Sequence, residues 1–335
     1  MSKRLRDLWK RGTDFLGTEY AILGGAMSWI SDRHLVSAIS NAGGFGVIAC
    51  GGMEADMLAE EIAATRAMTD KPFGVNLITL HPNLDKLIAV CREQKVNHVV
   101  LAGGLPSGPS IAAIKDFDAK LMCFAPTATL AKKLVRSGAD AIVIEGMEAG
   151  GHIGPVSTSV LAQEILPVMQ NVPVFVAGGI GRGDVAAAYL EMGASGVQLG
   201  TRFVVAEECV AHENFKKAFI SAKARDAVAS VQIDPKFPVI PVRALKNGGT
   251  EEFMETQRTI VGDFHAGTVS QFDGQMQIEQ FWGGALRRAV VDGDVETGSL
   301  MAGQSVGMVK KIEPTADIIE ELVAQARAYL SRSIY

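Results

Sequence analysis

The stretch VPVFVAGGIGRGD, residues 172–184, decides the fold. Its first half is apolar in both alternating registers, as a parallel strand buried on both faces requires. Its second half is a glycine loop that runs directly into a helical pattern over 184–193. Strand, glycine turn and helix in that order make one βα unit. Working outward, DAIVIEG (140–146) has the same two-faced apolar character, behind the helical ATLAKKLVRSGA (128–139). Further upstream stand AILGG (21–25), FGVIAC (45–50), PFGVNLI (72–78), HVVLAG (98–103) and AKLMCFA (119–125), and SGVQLGT (195–201) lies downstream. Helical patterns over 32–42, 54–67, 83–94, 109–116 and 158–170 separate most of them.

Eight strands in βα units of roughly 25 residues predict an α/β fold, the (β/α)8 TIM barrel. A doubly wound open sheet is the alternative, but it places its signature glycine loop after the first strand. Here the densest glycine loops follow the sixth, seventh and eighth strands. After residue 204 the rhythm breaks. The prolines of DPKFPVIPVRALKN (234–247) argue against a central strand there. Residues 209–278 read as a smaller, mostly helical inserted lid domain over the mouth, with 1–208 plus 279–335 as the barrel. Helical pattern resumes at 279–291, 298–310 and 315–332, and one of these supplies the eighth barrel helix.

The chain has 335 residues, 48% of them hydrophobic, and a net charge of −5. KRLRDLWKR (3–11) is its one basic cluster and reads as an amphipathic first helix, not a targeting segment. Without a basic stripe and aromatic platforms, a nucleic-acid partner is not expected. Nor is a membrane partner, since no apolar run reaches about 18 residues. The cysteines at 50, 91, 123 and 209 form no CxxC and read as buried thiols of a reducing cytoplasm. No His, Cys or acidic cluster has metal-ligand spacing.

In a barrel the C-terminal ends of the strands line the active mouth. Those positions are Gly25, Ala26 and Met27; Asn76; Glu145; Gly178 and Gly179; and Gln198, Gly200 and Thr201. The last two loops are the usual phosphate cradle of this fold, where bare amides and a helix N-terminus meet an anion. Asn76 is an amide inside an apolar strand, so it bonds either a ligand edge or the core backbone. Glu145 faces either a ligand hydroxyl or a loop amide. Behind it, EGMEAGGHIGPVSTS (145–159) packs four glycines around His152. That is either a tight turn with an incidental histidine or a proton-handling group beside a bound molecule. No lysine ends a strand, which argues against a Schiff-base aldolase, and no GxSxG motif marks a hydrolase.

GGAMSW, AGGFGVI, PFGVNL, EGMEAGGHIG, VPVFVAGGI and VQLGTRFVVAEE together resemble the nitronate monooxygenase (2-nitropropane dioxygenase) superfamily. VRALKN and GDVETGSLMAGQSVGMV extend the resemblance, which is closest to the FMN-dependent enoyl-acyl-carrier-protein reductases of type II. The resemblance implies a barrel holding FMN, its phosphate at Gly178–Gly179 and Gly200–Thr201. It places Gly25 to Met27, Asn76, Glu145, Gly151 and Gln198 around the flavin, and His152 beside the substrate as the catalytic residue. It further implies NAD(P)H as reductant, an acyl-thioester or other small-molecule substrate with acyl carrier protein as a partner, a homodimer, and a monovalent cation that has no ligand signature here. Oxidation of alkyl nitronates with O2, or NADH:quinone reduction, fits the same motifs. A flavin-free phosphate-binding isomerase or lyase is the reading from another class. YAILGGAM departs from the expected pattern, which has a proline after the tyrosine and a glycine at Ala26.

Overall fold

The computed structural model describes residues 3–332. Eight parallel strands form one sheet: β1 (Ile22–Gly24), β2 (Gly46–Ala49), β3 (Phe73–Ile78), β4 (His98–Ala102), β5 (Lys120–Phe124), β6 (Ala141–Glu145), β8 (Val174–Ala177) and β9 (Gly196–Leu199). The lateral order is β1-β9-β8-β6-β5-β4-β3-β2. A parallel bridge from Leu23 to Phe45 joins the two ends, so the sheet closes into a barrel. The intervening β7 (Gly151–His152) belongs to a second sheet.

Alternation along each strand sets what fills the bore. Leu23, Phe45, Val100, Met122, Val143 and Phe175 pack there as a separate core from the barrel–helix layer. Phe15 and Leu16, from the helix Lys10–Leu16, join that core and close the bottom. Burying each such side chain contributes about 1.5–3 kcal/mol. The same parity carries Asn76, Glu145 and Gln198 inward one step above Gly74, Val143 and Gly196. A polar layer therefore caps an apolar plug.

The eighth barrel helix is Thr315–Leu330, which packs beside Gly183–Glu191 and Arg33–Asn41, the helices that follow β8 and β1. Residues 298–310, expected to be helical, are not. Gly298, Gly303 and Gly307 interrupt them, and only a short 3-10 turn forms, Gln304–Met308. The stretch runs extended instead, with Leu245 N–H bonding Leu300 O and a bridge from Met301 to Ala244.

The small sheet has the order β10-β11-β7, with β10 at Ala227–Ala229 and β11 at Val242–Leu245. The proline rule holds up to Pro241 and then lapses: β11 starts at the next residue and is the central strand. Two helices, Gly248–Ala266 and Gln271–Arg287, pack on this sheet around Phe237, Val242, Phe253 and Trp282. The second helix runs unbroken across residues 278 and 279. Within the segment 209–278, the helix Glu213–Ser221 instead buries Phe215 and Phe219 against the barrel wall. No helix among the described residues is long and apolar enough to cross a membrane.

Candidate active site

The loops after β1, β6, β8 and β9 meet at the C-terminal rim. Gly178 and Gly179 both take positive φ, 93° and 71°. At Gly178 a side chain is excluded twice over, because a Cβ would also lie 2.9 Å from both Gly146 O and Thr158 Oγ1. This turn leads into the helix Gly183–Glu191. The amides of Gly179, Ile180 and Gly181 find no acceptor among the described residues, although Ile180 and Gly181 are buried. Buried amides without partners are rare in folded proteins. Three in succession near a helix N-terminus are the kind of group that an anion can satisfy.

Thr201 lies in the loop after the neighbouring strand β9. Its Oγ1 accepts the Gly303 amide at 3.0 Å, which leaves the hydroxyl hydrogen free to donate. Around the rim, a Cβ at Gly200 would lie 3.3 Å from Met27 Sδ, and one at Gly25 would lie 3.4 Å from Gln198 Nε2. Side chains there would occupy the gap between loops that the glycines keep open. Ala26 packs against the bore core.

Beneath lies the polar layer. Gln198, 8% exposed, has no side-chain partner among the described residues. Asn76 Nδ2 donates to Val100 O at 3.3 Å, so the core-backbone reading of this residue is met in part. Its Oδ1 and second amide hydrogen remain unused. Among the described residues Glu145 has neither an ion pair nor a hydrogen bond to its carboxyl. Burial pushes its pKa up to about 8, so it is a neutral acid at pH 7 and can donate. It nevertheless keeps some accessible surface, as a group facing a cavity does. These donors and acceptors, with the amide cradle above them, fit a phosphorylated ligand bearing a polar heterocycle.

His152 is not in a loop. It is the second residue of β7, opposite Val242 of β11, and Gly151 before it has φ 78°. Its Nε2 lies 2.9 Å from Glu279 Oε2 on the helix Gln271–Arg287. Residues that sequence reasoning missed hold this edge in place. Arg243 donates from Nε to Met147 O at 2.9 Å and from Nη1 to Ala227 O at 2.6 Å. Glu148 accepts the Thr158 amide and hydroxyl, both at 2.9 Å. Glu148 O also accepts the Gln304 amide at 2.9 Å. Glu148 stands inside the histidine motif. Arg243 stands inside the VRALKN motif, but nothing in the sequence marks it or Glu279 as a site residue, since both reach the site only through the second sheet and its helix.

Comparison with known proteins matches this architecture. Residues 10–94 and 82–325 match the family described as Nitronate monooxygenase. The structure of FabK from Thermotoga maritima is 39% identical, covers 96% of each chain and superposes with a TM-score of 0.85. A nitroalkane oxidase from Streptomyces ansochromogenes is 26% identical with a TM-score of 0.77, over 95% of this chain and 99% of its own. The (3aS,4S,5R,7aS)-5-hydroxy-7a-methyl-1-oxo-octahydro-1H-indene-4-carboxyl-CoA dehydrogenase of Mycobacterium tuberculosis is 31% identical over 347 residues, 95% of this chain and 96% of its own.

Proposed function

This chain belongs to the nitronate monooxygenase family of oxidoreductases, and from that premise we propose that it is an FMN-dependent enoyl-thioester reductase driven by NAD(P)H. The observation that carries the flavin is the row of amides at Gly179–Gly181, without acceptors among the described residues, above a polar layer in which only Asn76 has a partial partner. Those amides and the Thr201 hydroxyl would hold the phosphate. Asn76, Glu145 and Gln198 would meet the polar edge of the ring system, with Gly25, Met27, Gly151 and Gly200 giving it backbone room. When bound, the flavin supplies hydride-transfer chemistry, which no side chain can provide.

The likeness to FabK and the acyl-CoA name of the mycobacterial relative favour a thioester substrate. His152 would polarise the thioester carbonyl or help supply the proton to the α-carbon. Imidazole is the side chain suited to proton exchange near neutral pH. The small sheet and its two helices would cover the acyl group and exclude water. Likeness to the nitroalkane oxidase supports a second reading, in which His152 takes a proton from a nitroalkane or binds the nitro group.

One experiment separates the readings. The purified protein should be yellow. Anaerobic addition of NADH or NADPH should bleach it, and crotonyl thioester should restore the colour. Colour that neither nucleotide bleaches, with oxygen uptake on adding a nitronate, would overturn the reductase in favour of the oxidase. Colourless protein that takes up no FMN would overturn both.

A further inference from the structure

The glycine loops after β8 and β9 are joined behind the rim by one run of side chains. Arg202 follows Thr201 directly, and its side chain is only 5% exposed. Its Nη1 donates to Met308 O at 3.2 Å, and its Nη2 donates to Glu321 Oε2 at 2.6 Å. A buried carboxylate, Glu313, also stands 3.7 Å from Nη2. Glu321 lies on the helix Thr315–Leu330, and Gln325 is one turn further along the same face. Gln325 Nε2 donates to Glu321 Oε1 at 2.7 Å, and its Oε1 accepts the Gly183 amide at 2.8 Å. Gly183 opens the helix that follows the β8 glycine turn. Met308 meets the same turn, since a Cβ at Gly181 would lie 2.6 Å from its Cε. The hydrogen bonds therefore run from the residue beside Thr201 to the far end of the Gly179–Gly181 row, through two residues of the eighth barrel helix.

A row of amides and the Thr201 hydroxyl can meet one anion together only if the two loops keep their separation. Among the described residues no hydrogen bond joins the β8 turn (178–181) directly to the β9 loop (200–202). We propose that Arg202, Glu321 and Gln325 are positioning residues, a brace outside the mouth that fixes the distance between these two loops. None of the three acts on the ligand itself. That the loops hold the FMN phosphate is the functional reading above, and the effect of the brace on flavin affinity rests on it.

The test reads each loop when the far end of the brace is cut. Arg202 is buried beside Glu313, so its loss also threatens the fold. Gln325→Ala and Glu321→Ala cut the run at its more exposed end and leave Arg202 its second carboxylate. In the full chain without ligand, Gln325→Ala should speed hydrogen–deuterium exchange at Gly183. It should also speed exchange of residues 200–204, which Gln325 does not touch, by about 2- to 10-fold, the worth of one hydrogen bond. Exchange in the strands on the far side of the barrel should stay unchanged, which separates a loosened rim from a destabilised fold. FMN should bind either variant about 2- to 10-fold more weakly, as read by flavin fluorescence titration. The two losses should not add in the double variant, because either cut opens the same run. Unchanged exchange at 200–204 in Gln325→Ala, or additive losses of FMN affinity, overturns the proposal. If the two loops loosen together while the parent chain takes up no FMN, the brace stands and the functional reading falls.

Discussion

The two ends of the barrel keep polar groups under opposite conditions. At the bottom, His98 is 4% exposed, with Nε2 at 2.9 Å from Phe15 O and its ring edge-on to Phe15 and Phe45. The Lys120 amine bonds the same carbonyl. Burial pushes the His98 pKa down to about 4, so the ring is neutral, as its bare Nδ1 also requires. At the top, the side chains of Glu145 and Gln198 and three consecutive amides have no partners among the described residues. Polar groups that the chain satisfies by itself serve stability. Polar groups left open around the mouth are available to a ligand.

The contrast can be broken most directly by exchanging losses between the ends. His152→Ala should reduce turnover by about 10²- to 10⁴-fold and leave the melting temperature nearly unchanged. His98→Ala should do the reverse, lowering the melting temperature while kcat holds. If both variants lost turnover alike, the division would be wrong.

Acidification is the next sharpest probe. The folded pKa of His98 lies below its unfolded value of 6.5, so the unfolded chain binds more protons between pH 6.5 and about 4. Its contribution is fully present above pH 6.5 and is lost as pH falls through that window. The loss is up to about 3 kcal/mol. Urea midpoints should fall across this range more steeply in the parent than in His98→Gln, and parallel curves would remove His98 from the account.

At the mouth, Gly178→Ala forces a Cβ into a positive-φ site 2.9 Å from two oxygens. Strain of about 1–3 kcal/mol should weaken FMN binding about tenfold or more, as read by flavin fluorescence titration. The smallest effect is the most pointed. Glu145→Gln should leave FMN affinity at pH 7 within about twofold, because both side chains are neutral donors there. Affinity of the parent should decline as pH rises past 8, while the variant stays flat. A large loss at pH 7 would show that Glu145 acts as an anion.

The barrel was legible because its signals are local. Runs such as AIVIE and VFVA can be satisfied only between two apolar layers, and the glycine turns behind them point to the rim. Asn76, Glu145 and Gln198 stood out because each breaks an apolar strand at its mouth end. The rest depended on pairing at long range. Residues 298–310 carry an amphipathic pattern, yet their glycines and their partners on β11 draw them out straight. β11 hides behind Pro241. Glu279 looks like any solvated acid on a helix until the two-residue strand of His152 is brought beneath it. A short strand whose partner lies some ninety residues downstream leaves no periodic trace.

The run 300–304 stitches the molecule together at one point. Leu300 holds β11, Met301 bridges Ala244, Gly303 donates to Thr201, and Gln304 donates to the loop before His152. During synthesis, therefore, all eight barrel strands leave the ribosome long before their rim can be fastened. The nascent chain waits with its glycine loops unframed until residues 300–304 emerge, and all four fastenings arrive in one late step.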